Sequence, residues 1–286
     1  MSETARTVGT INGHTELIAH IGFPTHGFKA PMIYNPWFAK AGVNAVVVPM
    51  GCKPQDFPVF LKSVFKLTNV RGALITMPHK VTTMDFLDEV LPTAAIAGAC
   101  NAVRVGPNGQ LLGDMFDGEG FVRGVLRKGL KLKGASALVV GSGGVGSAIA
   151  ASLAAAGVAR LGLFDLTLAS ADGLAARLLQ HYPQIQVHTG SNDPAGFDLV
   201  VNGTPLGMSP GDAMPMDVSR IGAQTFVGEV VMKNEMTAFL AAASARGCRV
   251  QVGTDMLFEQ IPAYLEFFGF PSTTPQELRD VATLEY

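Results

Sequence analysis

The sequence predicts an α/β fold arranged in two lobes. Three observations predict it. Short β-branched runs alternate with helix-like segments from residue 17 to residue 252, a glycine-rich loop follows one such run near the middle, and the chain closes on two helical segments with no strand after them. Two domains of about 150 residues would account for the 286 residues present. Hydrophobic residues at 48% against 15% charged exclude a disordered chain and leave enough apolar surface for a sizeable core. The 33 glycines and 17 prolines follow no period, which excludes a collagen-like fibre and marks many turns.

Strands are expected at 17–22, 44–50 and 71–76, apolar on both faces as in a parallel sheet. Helices are expected near 31–42 and 56–67, where Pro36 and Pro58 must sit in first turns or cause kinks. Residues 101–105 and 110–114, joined by Gly106-Pro107-Asn108-Gly109, read as a hairpin closing this region. A helix then starts near Asp117, with Phe121, Val122, Val125 and Leu126 as its apolar face. Arg123, Arg127 and Lys128, with Lys131 and Lys133 beyond, read as its solvated end. Strands follow at 137–141, 161–164, 184–188, 198–202, 226–231 and 249–252, with helices near 145–156, 169–180 and 235–246. The closing helices, 254–270 and 274–285, are free to pack back on the first lobe.

Composition narrows the partners to small molecules. A formal net charge of −2 gives no electrostatic footprint for nucleic acid, so none is expected as a partner. Cys52, Cys100 and Cys248 are far apart with no C-x-x-C pair, which argues against a disulfide framework or a thiolate zinc site. His14, His20, His26, His181 and His188 lack metal-ligand spacing, and no metal is expected. Residues 1–9 show no basic segment leading into an apolar core, so no secretory signal is expected. Residues 134–159 carry no charge, but the glycines through them mark a strand, a turn and a small-residue helix rather than a membrane span. A cytoplasmic protein with no membrane partner is expected, and a homodimer is the assembly considered.

Gly141-Ser142-Gly143-Gly144-Val145-Gly146 contains G-x-G-x-x-G between a strand and a helix. The first glycine permits a tight turn, the second lets the backbone approach a pyrophosphate, and the third allows close helix–strand packing. Asp165 follows Gly146 by nineteen residues at the end of the next strand, where a Rossmann dinucleotide site places its ribose ligand. Its charge would repel a 2′-phosphate, and Leu166, Thr167 and Leu168 supply no cation to attract one. NAD is therefore expected over NADP. In the alternative reading, Asp165 caps the segment after it.

Lys80 follows the strand at 71–76 through Met77-Pro78-His79, at the strand end where open α/β sheets bind ligands. Asp117 opens the helix leaving the first lobe. A lysine beside a carboxylate in a partly dry cleft could take a hydroxyl proton. From the residues alone, a loop lysine and an ordinary N-cap remain the simpler readings. His79 reads as structural, and Met77, Met115, Met208, Met232 and Met256 read mostly as packing residues.

Six blocks occur in order: GALITMPHK (72–80), ACNAV (99–103), GDMFDGEGF (113–121), GSGGVGSA (141–148), VNGTPLGM (201–208) and GTDMLFEQ (253–260). Together they resemble the shikimate dehydrogenase family over nearly the whole chain. The resemblance implies a substrate lobe, 1–116 plus 254–286, and a Rossmann cofactor lobe, 117–253. It implies a dehydrogenase of an alicyclic alcohol, shikimate-like or quinate-like, with Lys80 and Asp117 as the catalytic pair. It places Thr76, Asn101 and Gln260 on the substrate. Asn202, Thr204, Pro205, Leu206, Gly207 and Met208 match the loop flanking the nicotinamide, and Gly253 the turn near it.

The departures fall in the substrate site. Where the family has a Ser-x-Ser pair for the substrate carboxylate, this chain has Phe28-Lys29-Ala30. Leu74, Ala102 and Met232 stand where Asn, Thr and Tyr are usual. Each swap removes a hydrogen-bonding group, so the resemblance implies an altered ligand or a poor shikimate enzyme. The second function it leaves open is a weak or inactive cofactor-binding regulator of the same fold.

Overall fold

In chain order, β1 (Glu16–Gly22), α1 (Pro31–Ala41), β2 (Ala45–Gly51), α2 (Phe57–Val64) and β3 (Val70–Ile75) alternate strand and helix. They come from a computed structural model that describes residues 10–284, and the reading of residues 1–9 lies outside the described residues. α1 ends at Gly42, whose left-handed backbone (φ 67°) stops the helix. Pro36 is accommodated inside α1, and Pro58 sits in the first turn of α2.

A 3-10 turn at Thr82–Phe86 leads to β4 (Glu89–Val90) and α3 (Pro92–Ala97), two short elements that the sequence reading missed. β5 (Ala102–Val105) and β6 (Leu111–Asp114) form the expected hairpin. The alternation resumes with α4 (Asp117–Arg127), β7 (Ser136–Val140), α5 (Gly144–Ala155), β8 (Arg160–Phe164) and α6 (Leu168–His181). It continues through β9 (Gln186–Thr189), β10 (Leu199–Asn202), β11 (Phe226–Glu229), α7 (Ala238–Ala245) and β12 (Arg249–Gln251). The last helices are α8 (Gly253–Phe268) and α9 (Pro275–Val281), the second opened by a Thr274–Glu277 capping box.

The chain divides into two units. The first holds the described residues up to Leu91, then Ala99–Asp114, then those from Tyr264 onward. The second holds Pro92–Gly98 and Met115–Ala263. The expected boundary near 253 is therefore displaced along α8, because Met256 belongs to the second unit's core. Residues 92–98 also join that unit, since Ile96 of α3 enters the same core and α3 packs on α5.

The first unit's sheet has the order β2-β1-β3-β5-β6-β4, with β1 parallel to both β2 and β3 and with β5 antiparallel to β3. The second unit's sheet, β12-β11-β10-β7-β8-β9, is parallel throughout. Its strands alternate faces. Ala137 and Val139 pack under the α4–α6 side, while Leu138 and Val140 pack with Phe239 and Leu240 of α7. That arrangement is a doubly wound sheet whose order reverses between β7 and β10.

Two details of α4 differ from expectation. Leu126 faces solvent at 48% exposure, and the buried face is completed by Gly118, Gly120 and Gly124. A side chain at these glycines would run into the Ala148 carbonyl, the Met256 carbonyl (2.6 Å) and the Gln251 amide (2.7 Å), so α4 packs through its bare backbone. Nor is the basic end of α4 simply solvated. Arg127 pairs with Glu259 (2.8 Å) and Lys128 with Asp255 (2.7 Å), tying α4 to α8. Among the described residues, no helix is long and apolar enough to cross a membrane.

Candidate active site

In the second unit the glycine loop leaves β7 at the point where the strand order reverses, the position at which such sheets bind ligands. Gly141 turns with φ +102°, a conformation that a side chain rarely adopts. A Cβ at Gly146 would run into the Gly141 carbonyl, so the third glycine sets the approach of α5 to the strand. Gly143 is the N-cap of α5, and a Cβ there would meet nothing within 4 Å. The loop thus offers open space at a helix N-terminus, where Gly144 and Val145 begin the first turn. The Ser142 hydroxyl oxygen is buried there without a hydrogen-bond partner. An open cradle of this kind, with an orphaned polar atom beside backbone N–H groups, fits the pyrophosphate of a dinucleotide.

Asp165 serves its own loops. One carboxylate oxygen accepts from the Ser142 backbone N–H (2.8 Å), and the other accepts from that of Thr167 (2.9 Å). The side chain joins the glycine loop to the segment after β8.

Across the reversal point, Asn202 at the end of β10 is fully buried and braces the next loop. Its Nδ2 donates to the Leu206 carbonyl (2.9 Å), and its Oδ1 accepts from the Thr204 backbone N–H (3.1 Å) and hydroxyl (2.6 Å). Pro205 and Met208 are left exposed along that loop. Gly207 adopts φ +100°. Gly253 opens α8 with its Cα pressed on the backbone of Val230 and Val231. Beside Asn202 lies a residue the sequence reading passed over. Glu229, fully buried at the end of β11, has its carboxyl pushed up to about 7 by burial, against hydrogen bonds from Thr237 and Asn202. Its signal was a lone carboxyl inside the apolar run FVGEVV. Asp117, 5% exposed, begins α4 in this unit. Gln260 of α8 is buried against Gly120, and its Oε1 lacks a partner. Met232 packs partly buried on the same unit's core.

In the first unit, Thr76 follows β3, its N–H donating to the Ile21 carbonyl (2.9 Å) and its carbonyl accepting from His79 N–H (3.0 Å). That turn presents Lys80, half-buried, beyond the C-terminal end of the strand. Cys100 N–H donates to the Lys80 carbonyl (2.8 Å), and Asn101, buried, donates its N–H to Asp114 and accepts from Ile75 N–H (2.8 Å). The Lys80 turn and the Asn101 strand start are thereby fixed side by side. His79 is structural, stacked on Phe57 (4.0 Å between centroids) and bonded through Nε2 to the Cys52 carbonyl (2.7 Å). Phe28 is half-buried over the end of β1, and Ala30 is the buried N-cap of α1. Neither offers a hydroxyl.

Residues 21–103 match the shikimate dehydrogenase substrate binding domain, and residues 123–186 match the ThiF family. The shikimate dehydrogenase (NADP(+)) of Desulforamulus reducens is 34% identical over 270 residues, covering 91% of this chain and 92% of that one. Its counterpart from Rubrobacter xylanophilus is 34% identical over 258 residues, covering 89% and 90%. This chain belongs to the shikimate dehydrogenase family. It is an oxidoreductase of the CH–OH class. Among solved structures, the quinate dehydrogenase of Corynebacterium glutamicum in complex with NAD is 29% identical with a TM-score of 0.84, covering 93% of this chain and 98% of that one. Shikimate 5-dehydrogenase from Listeria monocytogenes shares the fold, with a TM-score of 0.88 at 24% identity over 96% and 99% of the two chains.

The family relatives overturn one expectation. NAD was expected over NADP, whereas the curated relatives are NADP(+) enzymes. The physical reason lies in Asp165. Both of its carboxylate oxygens are spent on backbone N–H groups of its own loops, so its spacing from the glycine loop does not by itself assign it to a ribose or select NAD.

Proposed function

We propose that the protein oxidises and reduces an alicyclic secondary alcohol, shikimate-like or quinate-like, with NADP(H). When bound, the dinucleotide supplies a hydride acceptor for the carbinol carbon. The chain's own groups do the rest. In the oxidation direction, Lys80 in its neutral form takes the hydroxyl proton at Nζ, and in reduction it returns that proton to the carbonyl oxygen. Asp117 accepts a hydrogen bond from the substrate hydroxyl and holds it for that transfer. Thr76, Asn101 and Gln260 orient the ring, with Met232 as an apolar contact. The glycine loop at 141–146 carries the pyrophosphate, and the loop at 202–208 with Gly253 flanks the nicotinamide. The first unit serves the substrate and the second chiefly the cofactor. The pairing of Lys80 with Asp117 rests on the family resemblance. A homodimer and a cytoplasmic location belong to the same proposal.

The observation that carries this reading is the placement of Lys80 just past the C-terminal end of a central parallel strand, in the matching TMPHK block. The test is reduction of NADP+ and of NAD+ by shikimate, quinate and inositol. Turnover of at least one alcohol is expected, with the higher kcat/KM for NADP+. No reduction by any of the three overturns the proposal.

A further inference from the structure

His20 occupies the middle of β1, where strand alternation sends Ala19 and Ile21 into the apolar cluster around Phe57 and Leu61. His20 therefore faces the other side of the sheet. It is 8% exposed, and its imidazole stacks on Phe28 with ring centroids 4.1 Å apart and planes 26° apart. Its cross-strand neighbours are Pro49 of β2 and Leu74 of β3, neither of which has a side chain that can hydrogen-bond. Nδ1 is buried and has no partner. Buried polar groups are ordinarily satisfied, as His79 is by the Cys52 carbonyl, so this orphan calls for a ligand.

The surroundings say which ligand. Two residues along β1 on the same face, a Cβ at Gly22 would meet Phe28 Cζ (2.9 Å) and the Thr76 methyl group, so His20, Phe28 and Thr76 border one patch. That patch lies at the C-terminal ends of β1 and β3, where open α/β sheets bind their ligands. Burial first, and the Lys80 charge second, hold the imidazole down at about 4, so at neutral pH it carries no charge to attract a carboxylate. An uncharged ring nitrogen is suited to a hydroxyl.

We propose that His20 is a specificity-determining residue whose Nδ1 hydrogen-bonds a ring hydroxyl of the alicyclic substrate, with Phe28 fixing the plane of the imidazole. This inference rests on the function proposed above and names the group that reads the substrate's hydroxyl pattern where Leu74 offers none.

The test uses three variants of the full chain, assayed with NADP+ and whichever of shikimate, quinate and inositol the wild type oxidises fastest. His20→Leu removes the nitrogen. His20→Asn keeps a polar atom near the Nδ1 position, and His20→Gln moves it toward the Nε2 position. His20→Leu is expected to raise the substrate KM about tenfold, the worth of one hydrogen bond, with little change in kcat or in the KM for NADP+. His20→Asn should recover most of the loss and His20→Gln little of it, a separation that a purely structural role would not produce. If His20→Leu fails to fold, as read by circular dichroism, the Asn and Gln pair still decides. An unchanged KM in His20→Leu, or equal KM values in the Asn and Gln variants, overturns the inference alone. No turnover by the wild type overturns the functional reading and this inference with it.

Discussion

The two units differ in what their polar groups do. In the second, the loops after β7, β8 and β10 are held by backbone geometry and by side chains spent on their own loops. Gly146 sits against the Gly141 carbonyl, Asp165 holds Ser142 and Thr167, and Asn202 holds Thr204 and Leu206. In the first, Thr76, Asn101 and Lys80 match the family blocks, yet Phe28, Ala30, Leu74 and Ala102 stand where hydrogen-bonding types are usual. At Gly141 and Gly146 the glycine loop leaves little room for exchange, because a Cβ there would collide with main chain. A substrate pocket made of side chains can be exchanged one contact at a time. On the proposed function, chemistry and cofactor binding would then be separable from substrate choice.

The strongest way to break that separation is Lys80→Ala. It should lower kcat by roughly 10²–10⁴-fold, the range for losing a general acid–base group. Binding of NADP+, read by fluorescence titration, should be unchanged, because the glycine loop belongs to the other unit. A fully active variant would remove the proposed role. Loss of cofactor binding would show that the two functions are not separable.

A smaller effect compares one shifted group from each unit. Glu229 has its folded-state pKa raised from 4.5 to about 7, so the folded state binds the proton more tightly. Its contribution is present below about pH 4.5 and is lost as pH rises to 7. His20 is lowered from 6.5 to about 4, so the folded state resists protonation. Its contribution is intact above pH 6.5, and stability falls as pH drops toward 4. Each slope amounts to at most about 3 kcal/mol. Urea unfolding across this range should show Glu229→Gln removing the decline with rising pH and His20→Asn removing the decline with falling pH. Identical slopes in all three proteins would contradict both assignments.

The same contrast explains what could be read from sequence. The strand, glycine turn and helix at 136–155 were legible because Gly141 and Gly146 each have a local geometric reason, and the placement of Lys80 because it follows a strand within a recognisable block. α3 and β4 were not, since a two-residue strand exists only through its pairing with β6 (Glu89 beside Leu112) and α3 through its packing on α5. Leu126 was misassigned because the apolar period ignores glycines, and α4 buries its glycine side instead. Arg127 and Lys128 looked solvated because their partners Glu259 and Asp255 lie more than a hundred residues away in sequence. Asp165 misled in the same way. It caps Thr167 two residues on, as the alternative reading had it, and its bond to Ser142, twenty-three residues back, is tertiary. His20 and Glu229 stood out by type, as single ionisable residues in apolar strands, but had no partner in sequence to give them a role.

The most direct measurement of the separation is steady-state oxidation of shikimate with NADP+ by the wild type and by the double variant Phe28→Ser, Ala30→Ser, at low and high salt. Each restored hydroxyl can donate to a carboxylate, a bond worth about 1.5–3 kcal/mol, from which the lost Phe28–His20 stack must be subtracted. The wild type should show a weak KM, and the double variant should lower it at least about tenfold with kcat nearly unchanged. Any help that Lys29 gives a carboxylate by simple attraction should fade at high salt. A wild-type KM already in the low micromolar range, or no gain in the double variant, would contradict the claim that this chain kept the family's chemistry while changing how it holds its substrate.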